Sequence, residues 1–323
     1  MRSHINPYVS DILAQPEAVR RVVAQRPHTA LAPIAARTYS RIVLTGMGAS
    51  YSALLPAWLR LVHAGLPAWR IDTAALDQDA PDLLTRDTLD VAASQSGRSA
   101  EILALAERGA GTLVALTNDP HSPLAGRADV VLDIAAGEEH AVSTRSYLNT
   151  LATAALAADA LAGGASEHAL ADAAEHIDAY LAGWRERVEE LAAVVGLPER
   201  LYLLARGASL AAAEYGALIL KEAAKWPAEA MSAGQFRHGP LELADERLCA
   251  IVLDAGQRRN AALMADVERF GAQALELAAP RAAGAGLALA QAVPTQLLSI
   301  AIAEQTGIEP GTFRHLDKVT TVE

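Results

Sequence analysis

The feature that most constrains this chain is internal repetition. Arg41-Ile-Val-Leu-Thr-Gly-Met-Gly-Ala-Ser-Tyr-Ser-Ala53 reappears as Arg200-Leu-Tyr-Leu-Leu-Ala-Arg-Gly-Ala-Ser-Leu-Ala-Ala212. Each copy is a short apolar run, then Gly-Ala-Ser, then a helical run. The register continues downstream, where Leu89-Asp-Val-Ala-Ala-Ser-Gln-Ser-Gly97 parallels Leu248-Cys-Ala-Ile-Val-Leu-Asp-Ala-Gly256. A repeat of this length is a structural unit used twice, so the chain reads as two related halves. In the first half, strand-like runs fall near 41–45, 88–93, 112–117 and 129–133, separated by helical stretches near 50–64, 99–109 and 146–162. In the second, strands are expected near 201–204, 248–253 and 274–277, with helices near 208–225, 258–272 and 294–306. Strands alternating with helices predict an α/β fold, with parallel sheets covered by helices on both faces.

Composition fits that architecture. Of 323 residues, 52% are hydrophobic and 20% charged, which supplies a sizeable core and excludes a disordered chain. The net charge of −11 argues against nucleic acid and against an anionic membrane surface as partners. The one cysteine, Cys249, stands in an apolar run, which excludes an internal disulfide framework and predicts a buried, inert thiol. The N-terminus shows no signal-peptide pattern. The Ala-rich stretches Tyr147 to Ala162 and Ala282 to Ala303 carry polar residues and are expected as buried segments. Together these predict a cytoplasmic protein.

In open parallel sheets, ligands sit beyond the carboxyl ends of the strands. Two strand-to-helix turns there suit an anion. Gly46-Met47-Gly48-Ala49-Ser50 follows the first strand, and Ser94-Gln95-Ser96-Gly97-Arg98-Ser99 follows the second. Free N–H groups and hydroxyls can bind a phosphate without a lysine. The alternative is that these serines cap helices. The spacing is neither a Walker loop nor a dinucleotide fingerprint. The matching turn in the second half, Asp254-Ala255-Gly256-Gln257, has lost the hydroxyls. A third polar stretch, Glu138 to Arg145, precedes a helix; Ser143 or Thr144 can cap that helix, and the alternative is that the segment lines a site.

One carboxylate is out of place on its helix. In the stretch near 208–225, Glu214, Lys221 and Lys225 share a polar stripe, whereas Glu222 lies about 80° away. Its lateral neighbours are Tyr215, Leu218, Ile219 and Trp226. Burial there raises a carboxyl pKa toward neutrality, which suits a general acid or base, unless a Lys or Arg bridges it. His238 stands in an irregular Gly-Pro loop, where it can titrate near neutral pH. Lys318 is one of three lysines. No His, Asp or Glu cluster has metal-ligand spacing, and no metal or other cofactor is expected.

These residues together resemble a known family. The chain is similar to the tandem sugar-isomerase (SIS) domains that form the isomerase portion of glucosamine-6-phosphate synthase, and to the SIS-type glucosamine-6-phosphate deaminases. The resemblance rests on Ser94-Gln-Ser-Gly97, Ser143-Thr144, Gly216-Ala-Leu-Ile-Leu-Lys-Glu222, Arg237-His-Gly-Pro-Leu241 and Lys318-Val-Thr-Thr-Val-Glu323, in that order. It implies two flavodoxin-like three-layer α/β/α domains. An N-terminal helix would occupy 1–27, a phosphosugar-binding SIS domain 28–165, a second SIS domain 166–306, and a tail closing the site 307–323. By resemblance, Ser50, Ser94, Gln95, Ser96 and Ser99 bind the sugar phosphate, and the backbone at Ala141 and Val142 lines the sugar site. Glu222 would move protons between C1 and C2. His238, supplied by the other subunit of a homodimer, would open the sugar ring, and Lys318 would close over the substrate. Two positions depart from the synthase. Arg2 stands where the glutaminase domain has its cysteine nucleophile, so the chain is expected to lack that domain, and Ile219 replaces a lysine. The expected activity is conversion of glucosamine 6-phosphate to fructose 6-phosphate and ammonia. The alternatives are a fructosamine-6-phosphate deglycase, a plain phosphosugar aldose–ketose isomerase, and a non-catalytic sugar-phosphate sensor.

Overall fold

The structure is a computed structural model, in which residues 5–254 and 258–315 are described. Asn6 caps the first helix, its side-chain oxygen accepting from the amides of Tyr8 and Val9, and Pro7 presets the first turn. The expected N-terminal helix is two, α1 (Pro7–Leu13) and α2 (Gln15–Gln25), and a short α3 (Ala32–Ala35) follows. The first sheet is built from β1 (Arg41–Gly46), β2 (Ala68–Asp72), β3 (Thr88–Ala93), β4 (Thr112–Thr117) and β5 (Val130–Asp133). Between β1 and β2 come α4 (Gly48–Ala53) and α5 (Leu55–His63); α6 (Thr73–Gln78) and α7 (Ala100–Arg108) flank β3, and α8 (Arg145–Ala162) follows β5. The strand order is β2-β1-β3-β4-β5, all parallel, which is the flavodoxin-like arrangement.

Two helices, α9 (Glu167–Leu181) and α10 (Trp184–Val195), connect the two sheets. The second sheet repeats the plan with β6 (Arg200–Ala205), β7 (Glu229–Ser232), β8 (Leu248–Leu253) and β9 (Gln273–Glu276), in parallel order β7-β6-β8-β9. Its helices are α11 (Leu210–Ala224), α12 (Ala233–Phe236), α13 (Ala261–Arg269) and α14 (Gly286–Gln305). Pro294 lies inside α14, so that helix begins well before the expected position.

Strands buried on both faces read as continuous apolar runs, and β8 shows why. Cys249, Ile251 and Leu253 face α11 and α14, while Leu248, Ala250 and Val252 face α12 and α13. Burial pushes the Cys249 thiol up to about 12, as an inert thiol requires. The largest core lies between the sheets, where α8 of the first half meets α11 and α14 of the second. A Cβ at Gly216 would come within 2.5 Å of Leu203 and 2.9 Å of Thr295, so α11 can approach β6 and α14 this closely only with glycine there. By length and composition α14 could cross a membrane, but it is 94% buried inside the protein.

Candidate active site

Both serine-rich turns lie at the carboxyl edge of the first sheet. β1 turns through Met47 and Gly48, whose φ of 51° is left-handed, into α4. Ser50 sits half-buried in α4, and its hydroxyl bonds no other described residue. At the end of β3, the Ser94 hydroxyl accepts from the Gly97 amide at 3.1 Å, and the Ser96 hydroxyl accepts from the Arg98 amide at 3.2 Å. Each of these hydroxyls still has its own hydrogen to donate. Ser99 occupies the N-cap position of α7 without a capping hydrogen bond from its side chain. The capping alternative therefore fails for Ser99, and Ser94 and Ser96 organise the turn while keeping donors for an anion. Gln95 and Ser96 line a cavity of about 330 Å³, shared with Arg98, Asn118, Asp119 and Glu139.

The loop from Glu138 to Ser146 is held from two sides. Glu139, buried, accepts from the Thr144 amide at 2.9 Å, the Thr144 hydroxyl at 3.1 Å, the Ser146 amide at 3.1 Å and the Ser146 hydroxyl at 2.7 Å. Thr144 occupies the N-cap position of α8 but its own side chain does not cap. Glu139 performs that task from five residues upstream, because a carboxylate complements the positive end of an 18-residue helix better than a hydroxyl does. On the other side, Asp11 of α1 accepts from the amides of His140 and Ala141, at 2.8 and 3.3 Å, and from the Arg145 guanidinium at 2.7 Å. Burial opposes ionisation of Asp11, but those donors outweigh it and hold its carboxyl below the usual range. Ala141 and Val142 are buried in this loop, the Ala141 amide engaged by Asp11.

Glu222 comes to the first half along α11. Residues seven apart on a helix share a face to within about 20°. Tyr215, seven positions earlier, donates its hydroxyl to the Ser143 carbonyl at 2.7 Å and stacks on Tyr147 of α8, with ring centroids 3.7 Å apart. Leu218, one turn before Glu222, lies 3.6 Å from where a Cβ at Gly48 would stand. Glu222 therefore lies one helical turn from the β1 turn. Its carboxyl bonds no described side chain, and burial raises its pKa to about 7, with Lys225 opposing weakly. Lys225 does not bridge it; the ammonium donates to the backbone carbonyls of Glu222 and Thr312. Tyr8, fully buried, feels both Glu222 and Glu139. Burial above all, then those two carboxylates, raise the pKa of its phenol, which bonds Ser299 at 2.9 Å. The C-terminal segment passes the same place, the Gly311 amide donating to the Ala223 carbonyl at 3.2 Å.

His238 lies elsewhere. It is exposed in the turn after α12, at the carboxyl end of β7, whereas Glu222 is at the far end of α11, beside the opposite end of that sheet. One chain does not bring them together. Lys318 lies outside the described residues, as do Ala255, Gly256 and Gln257 of the second-half turn. Sequence reasoning places Glu139 in a stretch that could line a site and Tyr215 only as a neighbour of Glu222; it missed Tyr8, Asp11 and Asn118. Only Asn118 had a local signal, since Thr117-Asn118-Asp119 also follows a strand of the same edge.

Comparison with known proteins agrees with this architecture. Glutamine–fructose-6-phosphate aminotransferase (isomerizing) of Pyrobaculum aerophilum is 29% identical over 98% of this chain, which covers 57% of that protein. The enzyme of that name from Halobacterium salinarum is 30% identical over 98% of the chain, covering 59% of its length. The chain thus spans a little over half the length of these relatives. Among solved structures, glucosamine-6-phosphate deaminase of Thermotoga maritima superposes with a TM-score of 0.82 at 21% identity, covering 98% of this chain and 100% of that one. Tagatose-6-phosphate ketose/aldose isomerase of Escherichia coli gives 0.80 at 20% identity, covering 94% of each chain. These likenesses establish the fold. The SIS domain model matches residues 37–160 and 198–275, more than half of the chain and one segment in each half, and the chain belongs to the SIS domain family.

Proposed function

We propose that this chain is an enzyme acting on a sugar phosphate, and that it converts glucosamine 6-phosphate to fructose 6-phosphate and ammonia. One observation supports the reading above all: a half-buried carboxyl with no side-chain partner among the described residues, its pKa raised to about 7, one helical turn from Leu218, which packs at the β1 turn that leads to Ser50. The serine-rich turns anchor the 6-phosphate through Ser50, Ser94, Ser96 and Ser99, with Gln95 beside them, and fix the sugar in register. The loop through Ala141 and Val142 lines the sugar. With the ring open, Glu222 as carboxylate removes the C2 proton, the electron pair forms the C1–C2 double bond, and O1 takes a proton from solvent to give an enolamine. The same carboxyl returns its proton to C1 as the nitrogen releases one to solvent, leaving an imine at C2. Water adds to that imine and ammonia leaves. His238 of a second subunit opens the ring, and Lys318 stabilises developing negative charge on oxygen, both by family resemblance.

A specific observation bears on the choice among family reactions. Ile219 is fully buried beneath Glu222's face, so no amine stands where the synthase has its lysine. That favours release of nitrogen, or simple isomerisation, over its addition. A panel of hexose and hexosamine 6-phosphates, with ketose and free ammonia assayed separately, tests the proposal. Ammonia with ketose from glucosamine 6-phosphate is expected. Ketose from a plain hexose phosphate alone would make it an isomerase, and release of an amine from a fructosamine 6-phosphate a deglycase. Saturable binding with no turnover of any member would leave a sensor.

A further inference from the structure

A cavity of about 600 Å³ lies away from these loops, between the two halves. Its rear wall is Arg206-Gly207-Ala208-Ser209, the turn that follows β6. This turn is the repeat partner of Met47-Gly48-Ala49-Ser50. The backbones agree as well as the sequences: φ is 57° at Gly207 and 51° at Gly48, and Arg206 is extended as Met47 is. β6 is also where the strand order of the second sheet reverses, the place where open α/β sheets take ligands. One substitution changes the chemistry, since the rear turn carries Arg206 where the front turn carries Met47.

The electrostatics of this cavity favour an anion. Arg60 pairs with Asp159, the one carboxylate on its wall, at 3.5 Å. Arg206 and Arg259 also line it, and neither has a carboxylate partner among the described residues. Arg206 is braced by its Nε, which donates to Asn260 Oδ1 at 2.7 Å. Ser209 is 4% exposed, lines the cavity, and its hydroxyl bonds no other described residue. A hydroxyl donates one hydrogen bond and accepts two, so Ser209 can engage a ligand that enters the cavity. Leu59 and Leu287 give the cavity an apolar side.

We propose that this cavity is a second anion-binding site, which takes a phosphorylated small molecule of sugar size. Its phosphate would lie on Arg206, Arg259 and Ser209, and its carbon body over Leu59 and Leu287. The choice of phosphate rests on the phosphate-binding reading of the front turns; the existence of an anion site here does not. α11 begins beside this cavity and carries Glu222 near its other end.

Calorimetric titration of the full chain with inorganic phosphate and with fructose 6-phosphate tests this. Two sites per chain are expected. Arg259→Ala, at an exposed position, should weaken one of them at least about tenfold and leave the other. A double Ser96→Ala, Ser99→Ala variant should remove the other and leave the first. Loss of binding in the arginine variant, with no effect of the serine variant, would uphold this cavity and end the front-turn reading. A single site that ignores Arg259 and vanishes with the serines would overturn the proposal, as would no binding of either anion.

Discussion

The Tyr215 hydroxyl and the Ser143 carbonyl, 2.7 Å apart, tie the helix that bears Glu222 to the loop expected to line the sugar. The same hydroxyl accepts from Gln296 Nε2 at 2.9 Å, and Gln296 in turn pairs with Gln15 of α2. One buried oxygen thus joins the N-terminal helices, α14 and both halves.

Tyr215→Phe keeps the stack on Tyr147 but strands the Ser143 carbonyl and one Gln296 donor. It should cost about 1–3 kcal/mol in unfolding free energy. If the tie also sets the register of loop and helix, substrate KM should rise while circular dichroism is unchanged. An unaltered KM would reduce Tyr215 to a packing residue.

Glu222→Gln should lower kcat about 10²- to 10⁴-fold with little change in folding. In the parent enzyme the base must be ionised, so kcat/KM should rise with pH and level off through a pKa of about 7. In the unfolded chain an ordinary glutamate loses its proton near 4.5, whereas Glu222 keeps it to about 7. Between those values the folded state holds the extra proton, so its stability falls as pH rises and is lowest above 7. Glu222→Gln removes that loss, and thermal unfolding should find the variant more stable than the parent at pH 8 and similar to it near pH 4. Wild-type turnover in the variant would refute the assigned base.

How far this site could be read from sequence depends on how local its signals are. The misplacement of Glu222 is written into one helix, and its burial follows from its neighbours there. The central strands carry unbroken apolar runs and were legible. The edge strands β2 and β7 were not, because Ala68-Trp-Arg-Ile-Asp72 and Glu229-Ala-Met-Ser232 are half-exposed and mix polar with apolar residues. Glu139 was hidden behind an adequate local cap in Thr144. Tyr8 and Asp11 reach the site from more than a hundred residues away, through contacts that no periodicity encodes.

Glu139→Ala should release the loop it holds. Four donors, on Thr144 and Ser146, lose a shared acceptor, and the α8 N-terminus loses its charge. Loss of at least about 2 kcal/mol is expected. Hydrogen exchange should accelerate at the amides of Thr144 and Ser146 before it does in α14. Uniform acceleration across the molecule would show that the loop is not a separate unit.

Gly97→Ala places a Cβ 2.2 Å from Ser122 Oγ and 2.6 Å from Ser122 Cβ, at a residue with φ of 61°. Ser122 is buried and its hydroxyl accepts from the Ala125 amide, so it cannot move freely. The left-handed backbone alone costs an alanine about 1–2 kcal/mol. The turn must shift, and phosphate affinity at the front site should fall with the melting temperature. Unchanged affinity in a folded variant would separate this turn from anion binding.

Asp90 tests a different feature, since it lies in the middle of β3 with no role in the proposed chemistry. It is 5% exposed, its Oδ1 has no hydrogen-bond partner, and it lies opposite Val43 and Leu113 in the sheet. Burial raises its pKa from 3.8 to about 7. An unfolded aspartate ionises near 3.8, so between there and 7 only the folded chain retains this proton. Stability must therefore decline across that interval, by on the order of 3–4 kcal/mol if the full shift is realised. Asp90→Asn keeps the shape and abolishes the titration. Chemical unfolding should find the two proteins close at pH 4 and the variant clearly more stable at pH 8, with turnover unaltered. A stability difference independent of pH would mean that Asp90 stays ionised in the folded chain, held by something other than the apolar neighbours seen here.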